Sequence, residues 1–303
     1  MTPMRMMALQ PERTSFGTRD TGGRVAVIAG SGLLPQNVAD GLADQGQRPL
    51  VVAIEGEAEI GDAPQRYDLL PVAPEDLGKI LPVLKRKGVT HLVMAGGVTR
   101  RPPLRNLRLG LGLLLQLPRL AAAYARGDDG LLRALVRIVE SHGIKVVGAH
   151  EVVPELLAPE GVLTRARPTR ADEKDIAAGL VAARALGRLD IGQGAVAIGA
   201  RTVALEDIDG TDGLLQRAKA LRGHGRLAGK TRGVLVKCSK PGQELRTDLP
   251  AIGPRTVRDA HSAGLAGIAV EAERSFILDC SETVRLANEL GLFIVGFERG
   301  REG

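Results

Sequence analysis

Two acidic groupings stand out in the second half of this 303-residue chain. Glu206, Asp207, Asp209 and Asp212 surround Gly210-Thr211 at a strand-to-helix turn. Asp248 lies in Lys240-Pro-Gly-Gln-Glu-Leu-Arg-Thr-Asp-Leu-Pro250, which sets a carboxylate, Lys240 and Arg246 within nine residues. Cleaving a phosphoanhydride calls for a hard cation held by carboxylates and for cationic side chains on the charged oxygens. This segment supplies both kinds of group, although composition alone reads it as a polar surface loop.

Three further groupings could do chemistry. Gly30-Ser31-Gly32 closes a β-branched run and opens a helix, where backbone N–H groups and the helix dipole favour an anion. The dinucleotide fingerprint wants a third Gly where Pro35 stands, while Glu55, at the end of the next strand, could still contact a ribose. Phosphate contact, NAD(P) binding and a structural turn all stay open there. Arg100, Arg101, Arg105 and Arg108 follow Ala95-Gly96-Gly97 and precede the apolar run 109–117. A phosphate bearing acyl chains or an anionic membrane surface suits that pattern, as does a basic loop leading into a core helix. Of the five histidines only His150, beside Glu151, is placed like a site, and no His pair has metal-ligand spacing. Cys238 and Cys280 form no disulfide framework and read as reduced thiols.

The elements that must position these groups alternate. Strands at 24–29, 50–54, 91–95 and 144–147 are separated by helical stretches at 36–46, 75–87, 118–125 and 130–141. This alternation predicts a parallel sheet with helices on both faces. Pro154, Pro159 and Pro168 then mark a linker at 154–169. An amphipathic helix at 172–186 follows, with Thr169 and Asp172 as capping residues, then a hairpin of 195–198 with 202–205. A helix capped by Thr211 and running to 221, strands at 233–237, 267–270 and 293–297, and helices from 254 and at 281–290 complete a second α/β unit. The expected domains are 24–153 and 170–303, with 1–23 a disordered extension.

Composition narrows the class. With 44% hydrophobic residues and 25% charged, the chain is an ordinary globular one. Aromatics at 2% and no Trp argue against the stacking platforms of single-strand nucleic-acid binding, so no nucleic-acid partner is expected. A net charge of +6 suits phosphate-bearing partners or an anionic membrane surface. The run 109–117 falls short of the ~20 residues a spanning helix needs. A cytoplasmic protein, at most peripheral on a membrane, is expected.

Taken in order, Ile28-Ala-Gly-Ser-Gly-Leu-Leu-Pro35, Arg126-Gly-Asp-Asp129, Gly148-Ala-His-Glu-Val152, Leu189-Asp-Ile-Gly-Gln-Gly194, Gly210-Thr-Asp212 and Lys240-Pro241 through Arg246-Thr-Asp-Leu-Pro250, then Ile252-Gly253, carry a resemblance. From about 25 to 297 the chain resembles the UDP-2,3-diacylglucosamine pyrophosphatases of lipid A biosynthesis, in the form unrelated to metallophosphoesterases. The resemblance implies an α/β fold of two domains, an N-terminal Rossmann-like parallel sheet with helices and a C-terminal mixed α/β unit, clasping substrate in the cleft between them. It implies Mg²⁺-supported cleavage (Mn²⁺ being the alternative cation) of a UDP-linked diacylated sugar lipid to UMP and 2,3-diacylglucosamine 1-phosphate (lipid X). Asp248 is then the essential catalytic residue and a metal ligand, with Lys240 and Arg246 neutralising phosphate charge. Glu206, Asp209 and Asp212 are expected as further metal or water ligands. Gly30, Ser31, Gly32, Gly96, Arg100, His150, Gln193 and Thr211 are expected at the substrate. The chain departs from the family where Asp209 replaces a Glu before Gly-Thr-Asp and Gly97 an Asn after Ala-Gly. Neither a Nudix box nor the paired Asp-x-His and Gly-Asn-His blocks of a metallophosphoesterase are present. The competing readings are an NAD(P)-dependent oxidoreductase, resting on the Gly30 turn and Glu55, and a non-catalytic nucleotide-sugar or lipid-binding protein. A homodimer is compatible with the sequence.

Overall fold

A computed structural model describes residues 23–61, 63–98, 128–227, 229–241 and 244–298. Arg100, Arg101, Arg105, Arg108, the run 109–117, the helical stretch 118–125 and residues 1–22 lie outside the described residues.

The first sheet holds β1 (Arg24–Ala29), β2 (Leu50–Ile54), β3 (Asp68–Val72), β4 (Val89–Ala95) and β5 (Lys145–Val146). Its order is β3-β2-β1-β4-β5, with every pair parallel. The central β1 is covered on both faces, which is why it reads as an unbroken apolar run with Val25, Ala26, Val27 and Ala29 buried. Helix α1 (Leu34–Asp44) follows it, burying Pro35, Val38, Ala39 and Leu42 at helical spacing. Where one helix was expected over 75–87, a 3₁₀ turn (Pro74–Lys79) precedes α2 (Ile80–Arg86). Pro82 accounts for the break. It lacks the N–H an interior position needs, and restarting at Ile80 places it in a first turn, where no donor is missed. Helices α3 (Asp128–Ser141) and α4 (Ala149–Val152) complete this half.

The segment 154–169, expected as a linker, is built into the second half. Ala158 is fully buried, and β6 (Gly161–Val162) forms an antiparallel sheet edge. Helix α5 (Arg170–Arg188) begins at a reciprocal cap, in which Thr169 N–H donates to Asp172 and Asp172 N–H to the Thr169 hydroxyl. The hairpin β7 (Gly194–Ala197) and β8 (Thr202–Leu205) follows, then α6 (Gly210–Ala220) and β9 (Val234–Lys237). Thr211 does not cap α6, whose first residue is Gly210, because its hydroxyl is donated to Glu206. After these come β10 (Ala251–Ile252), α7 (Pro254–Ser262), β11 (Gly267–Glu271), β12 (Phe276–Ile277), α8 (Cys280–Glu289) and β13 (Phe293–Phe297).

The second sheet runs β6-β13-β11-β9-β7-β8, parallel at β13-β11-β9 and antiparallel toward both edges. On one face Val234, Val236, Ala269 and Phe293 meet Ile176 and Leu180 of α5. On the other, Leu235, Ile268 and Ile294 meet Leu214 of α6, Val257 of α7 and Leu286 of α8. The short parallel pair β10-β12 stands between the two sheets. Its Phe276 shares one apolar cluster with Val27 of β1, Val38 and Leu42 of α1, and Leu249 and Leu278. The two units are therefore packed on a common core. Among the described residues no helix is long and apolar enough to cross a membrane.

Candidate active site

A cleft of about 310 Å³ opens at the carboxyl ends of β1 and β4. In the strand order of the first sheet this is where the winding reverses, the place open α/β sheets offer a ligand. Ser31 to Leu34, Met94, Gly96, Gly97 and Ala149 line it from the first unit. Leu245 to Leu249, Ala251, Phe276 and Leu278 line it from the second. Among these, Asp248 is the carboxylate and Arg246 the cation, with the Ser31 and Thr247 hydroxyl residues beside them in an otherwise apolar or glycine lining.

The β1 and β4 turns touch. Gly30 N–H donates to the Ala95 carbonyl (2.8 Å), Ser31 N–H to that of Gly97 (2.7 Å), and Gly97 N–H to that of Ser31 (3.2 Å). A Cβ on Gly30 would sit 2.2 Å from the Gly97 oxygen, and one on Gly96, already at φ +81°, 2.4 Å from the Ser31 oxygen. Glycine is required at both. The amides of Gly30 and Ser31 were expected to cradle an anion, but they are spent on this backbone bridge. Gly32, Leu33 and Leu34 come next along the cleft wall, where α1 starts without a side-chain cap.

Asp248 is half-buried, in a turn where its own N–H and that of Thr247 both donate to the Glu244 carbonyl. Two residues earlier, Arg246 forks onto Glu244 (2.8 and 2.9 Å) and reaches Glu140 of α3 (2.9 Å) and the Val146 carbonyl (3.4 Å). The fork with Glu244 raises the guanidinium above its ordinary range and holds the Glu244 carboxyl below its own. Arg246 thus fastens the Asp248 loop to the first unit, its charge already balanced by two carboxylates.

The other expected residues stand elsewhere. Lys240 pairs with Asp190 (2.8 Å) and does not line the cleft. Arg217 holds Asp207 and Asp209 at 3.0 and 3.4 Å, while Arg255 holds Asp212 at 2.6 Å. Glu206 is buried, accepting from the Thr211 hydroxyl (3.0 Å) and Gln193 N–H (3.3 Å). Gln193 Oε1 is buried without a hydrogen-bond partner. His150 packs against Gly148, which the Arg246 backbone also approaches, and its Nδ1 is buried and unpartnered. Burial pushes its imidazole below the ordinary value, with Glu151 opposing and Arg274 adding to the shift. Arg100 lies outside the described residues.

Sequence reasoning missed Lys237. It ends the apolar run of β9 and is only 4% exposed. Its ammonium donates to the Thr211 hydroxyl (2.6 Å) and the Ala251 carbonyl (3.3 Å), with Glu206 at 3.9 Å. A charged residue closing an all-apolar strand is the signal that could have found it.

Among the described residues, no group of three or more His, Cys, Asp or Glu is placed to hold a metal ion. Arginines and a neighbouring hydroxyl claim Asp209, Asp212 and Glu206, so the expected four-carboxylate set is not assembled. The donor set that does fit Mg²⁺ is narrower. A magnesium site commonly uses one or two carboxylates and takes its remaining ligands from substrate phosphates and water. Asp248, the carboxylate of the cleft, can serve in that way.

Fold and site together define an α/β protein of two packed units, enclosing between them a ligand-sized cleft with one acidic and one basic side chain. The LpxI N-terminal domain family matches residues 24–156, and the LpxI C-terminal domain family matches residues 159–295. A protein of Caulobacter vibrioides named UDP-2,3-diacylglucosamine pyrophosphatase LpxI is 38% identical over 279 residues, 91% of this chain and 98% of that one. The chain belongs to the LpxI family. Among solved structures, the leucoanthocyanidin reductase–NADPH complex of Vitis vinifera is similar over 50% of this chain and 41% of its own, at 14% identity and TM-score 0.25. CobK precorrin-6A reductase is similar over 93% and 90%, at 13% identity and TM-score 0.29. At such scores neither likeness carries an argument for reductase chemistry.

Proposed function

We propose that this protein hydrolyses the diphosphate of UDP-2,3-diacylglucosamine to UMP and 2,3-diacylglucosamine 1-phosphate, a step of lipid A biosynthesis. The near full-length match to the Caulobacter pyrophosphatase carries this reading, and the cleft chemistry supports it. Water attacks phosphorus, a P–O bond forms as the water gives up a proton to solvent, and the anhydride P–O bond breaks with its electron pair leaving on the departing phosphate. Asp248 accepts a hydrogen bond from the attacking water and holds it in line. Bound at Asp248, Mg²⁺ or Mn²⁺ would neutralise the phosphate charge that grows as the leaving group departs. The α1 N-terminus at Gly32 to Leu34 meets the diphosphate with its dipole and uncapped first turn. Leu33, Leu245, Leu249, Phe276 and Leu278 give the sugar and the start of the acyl chains an apolar wall. Arg246 serves mainly to hold Asp248 in place, because its fork is occupied. The protein acts in the cytoplasm, in peripheral contact with the inner membrane that holds such a lipid.

The test is purified protein with UDP-2,3-diacylglucosamine and Mg²⁺, followed for UMP. UMP should appear, stop with excess EDTA and resume with added Mg²⁺ or Mn²⁺. Binding without turnover would refute hydrolysis, and full turnover in excess chelator would remove the metal from the reading.

A further inference from the structure

Asp248 must be held from both sides if it is to present one carboxylate geometry to a substrate. On its N-terminal side the holder is Arg246, anchored to Glu244 and Glu140. On its C-terminal side the chain runs Leu249-Pro250-Ala251, with Leu249 and Pro250 buried. Pro250 fixes its own φ, and β12 holds one side of this stretch, Phe276 N–H donating to the Pro250 carbonyl and Leu278 N–H to the Ile252 carbonyl (2.8 Å each). The Ala251 carbonyl between them is gripped from the β9 side by Lys237, whose Nζ donates to it at 3.3 Å.

We propose that Lys237 is a positioning residue for Asp248, its ammonium locking the base of the Asp248 loop to β9 and to the start of α6. An ammonium has three donors. Here three acceptors face it: the Thr211 hydroxyl, the Ala251 carbonyl and the Glu206 carboxylate. All three belong to the protein and to separate stretches of it, the start of α6, β10 and the turn after β8, so the group is committed to holding them together and not to binding substrate. Thr211 is fixed in turn, donating its single proton to Glu206 while accepting from Lys237. A buried ion pair is seldom the most stabilising way to fill a core, since an apolar residue of similar volume often does as well. What the ammonium adds over a methyl group is direction: it fixes the Ala251 carbonyl, three residues from Asp248. The Gly30 turn and the Arg246 clamp do not depend on it.

The role in turnover rests on the hydrolase reading, whereas the loop-holding role can be read without substrate. In Lys237→Met, amide hydrogen exchange across 244–252 should quicken at least tenfold, while α5 and the first sheet stay within threefold of wild type. At a temperature well below the variant's melting point, kcat should fall at least tenfold with KM within threefold. Unchanged exchange at 244–252 would overturn the proposal. So would exchange that quickens across the whole chain, or a kcat within threefold of wild type. Should Lys237→Met not fold, Thr211→Val decides by the same readouts, because it keeps both charges and removes the hydroxyl between them. It should quicken exchange at 244–252 and lower kcat, Thr211→Ser should restore both, and a wild-type-like Thr211→Val would refute the proposal. A wild-type protein that bound substrate without turnover would refute the hydrolase reading instead, and exchange would still decide whether Lys237 holds the loop.

Discussion

Replacing Arg246 with Met should detach the Asp248 loop from the first unit while leaving both sheets intact. Two of the lost hydrogen bonds fork onto Glu244, one goes to Glu140 and a longer one to the Val146 carbonyl. The Glu140 arm is about one-third exposed at both ends, so its share is about 0.5–1 kcal/mol. Glu244 is the more buried partner, and taking the fork from its carboxylate, with only the more distant charge of Arg133 remaining among its cationic neighbours, should cost about 1–2 kcal/mol. The sum of about 1.5–3 kcal/mol corresponds to a drop of about 2–5 °C in melting temperature for a chain of this size. Glu140→Gln should lose only the smaller share, and a double-mutant cycle between Glu140 and Arg246 should return about 0.5–1 kcal/mol of coupling. Because the Glu244 carboxyl is held below its usual range, its stabilisation is fully present above that range and is lost as pH falls through the lowered value. Acid should therefore narrow the gap between wild type and Arg246→Met. Calorimetric melting from pH 7 down to pH 3, with kcat measured in parallel, reads all of this. Turnover within threefold of wild type, or melting within 1 °C of it at pH 7, would refute the clamp.

Gly30→Ala should disrupt the bridge between the β1 and β4 turns, since its Cβ would press on the backbone oxygen of Gly97. A melting-temperature loss with markedly lower activity is expected, and a neutral result would mean that the close approach is wrong. His150 is half-buried with its Nδ1 out of solvent, and burial holds its imidazole below the ordinary value. Unfolded chain therefore takes up the proton first as pH falls through about 6.5, and stability should decline from there downward. In His150→Gln that part of the decline, read as melting temperature from pH 8 to 5, should vanish. Asp209→Asn should leave kcat and Mg²⁺ dependence within threefold of wild type, because Asp209 pairs with Arg217 outside the cleft. A large rise in the Mg²⁺ concentration needed would restore it as a metal ligand.

How far the sequence could be read follows from how local each signal is. Strand β1 and helix α1 were legible because Arg24 to Ala29 is covered on both faces and Pro35 marks the start of a helix. Strand β3 was not, because Pro71 and partial exposure disguise an edge strand. The two-residue strands β6, β10 and β12 are too short to show a period at all. Asp248 was found through the order of short motifs, and it does line the cleft. Acidic spacing around Thr211 suggested a metal site, yet Arg217 and Arg255 claim Asp209 and Asp212, and no spacing rule foretells that. The partner of Arg246 on α3 lies 106 residues away in the chain, and Lys237 gains its role only once β9, α6 and β10 converge.

The most direct test of the cleft as a diphosphate hydrolase is single-turnover kinetics of Asp248→Ala with UDP-2,3-diacylglucosamine and Mg²⁺, beside wild type and an Asp259→Ala control. The variant should melt like wild type and still bind substrate, since its loop remains clamped by Arg246 and the substitution removes no core side chain. Its rate of UMP formation should fall at least ~10²-fold, equivalent to about 2.7 kcal/mol of barrier, while the control stays within threefold. A folded Asp248→Ala protein that forms UMP within threefold of the wild-type rate would contradict the account.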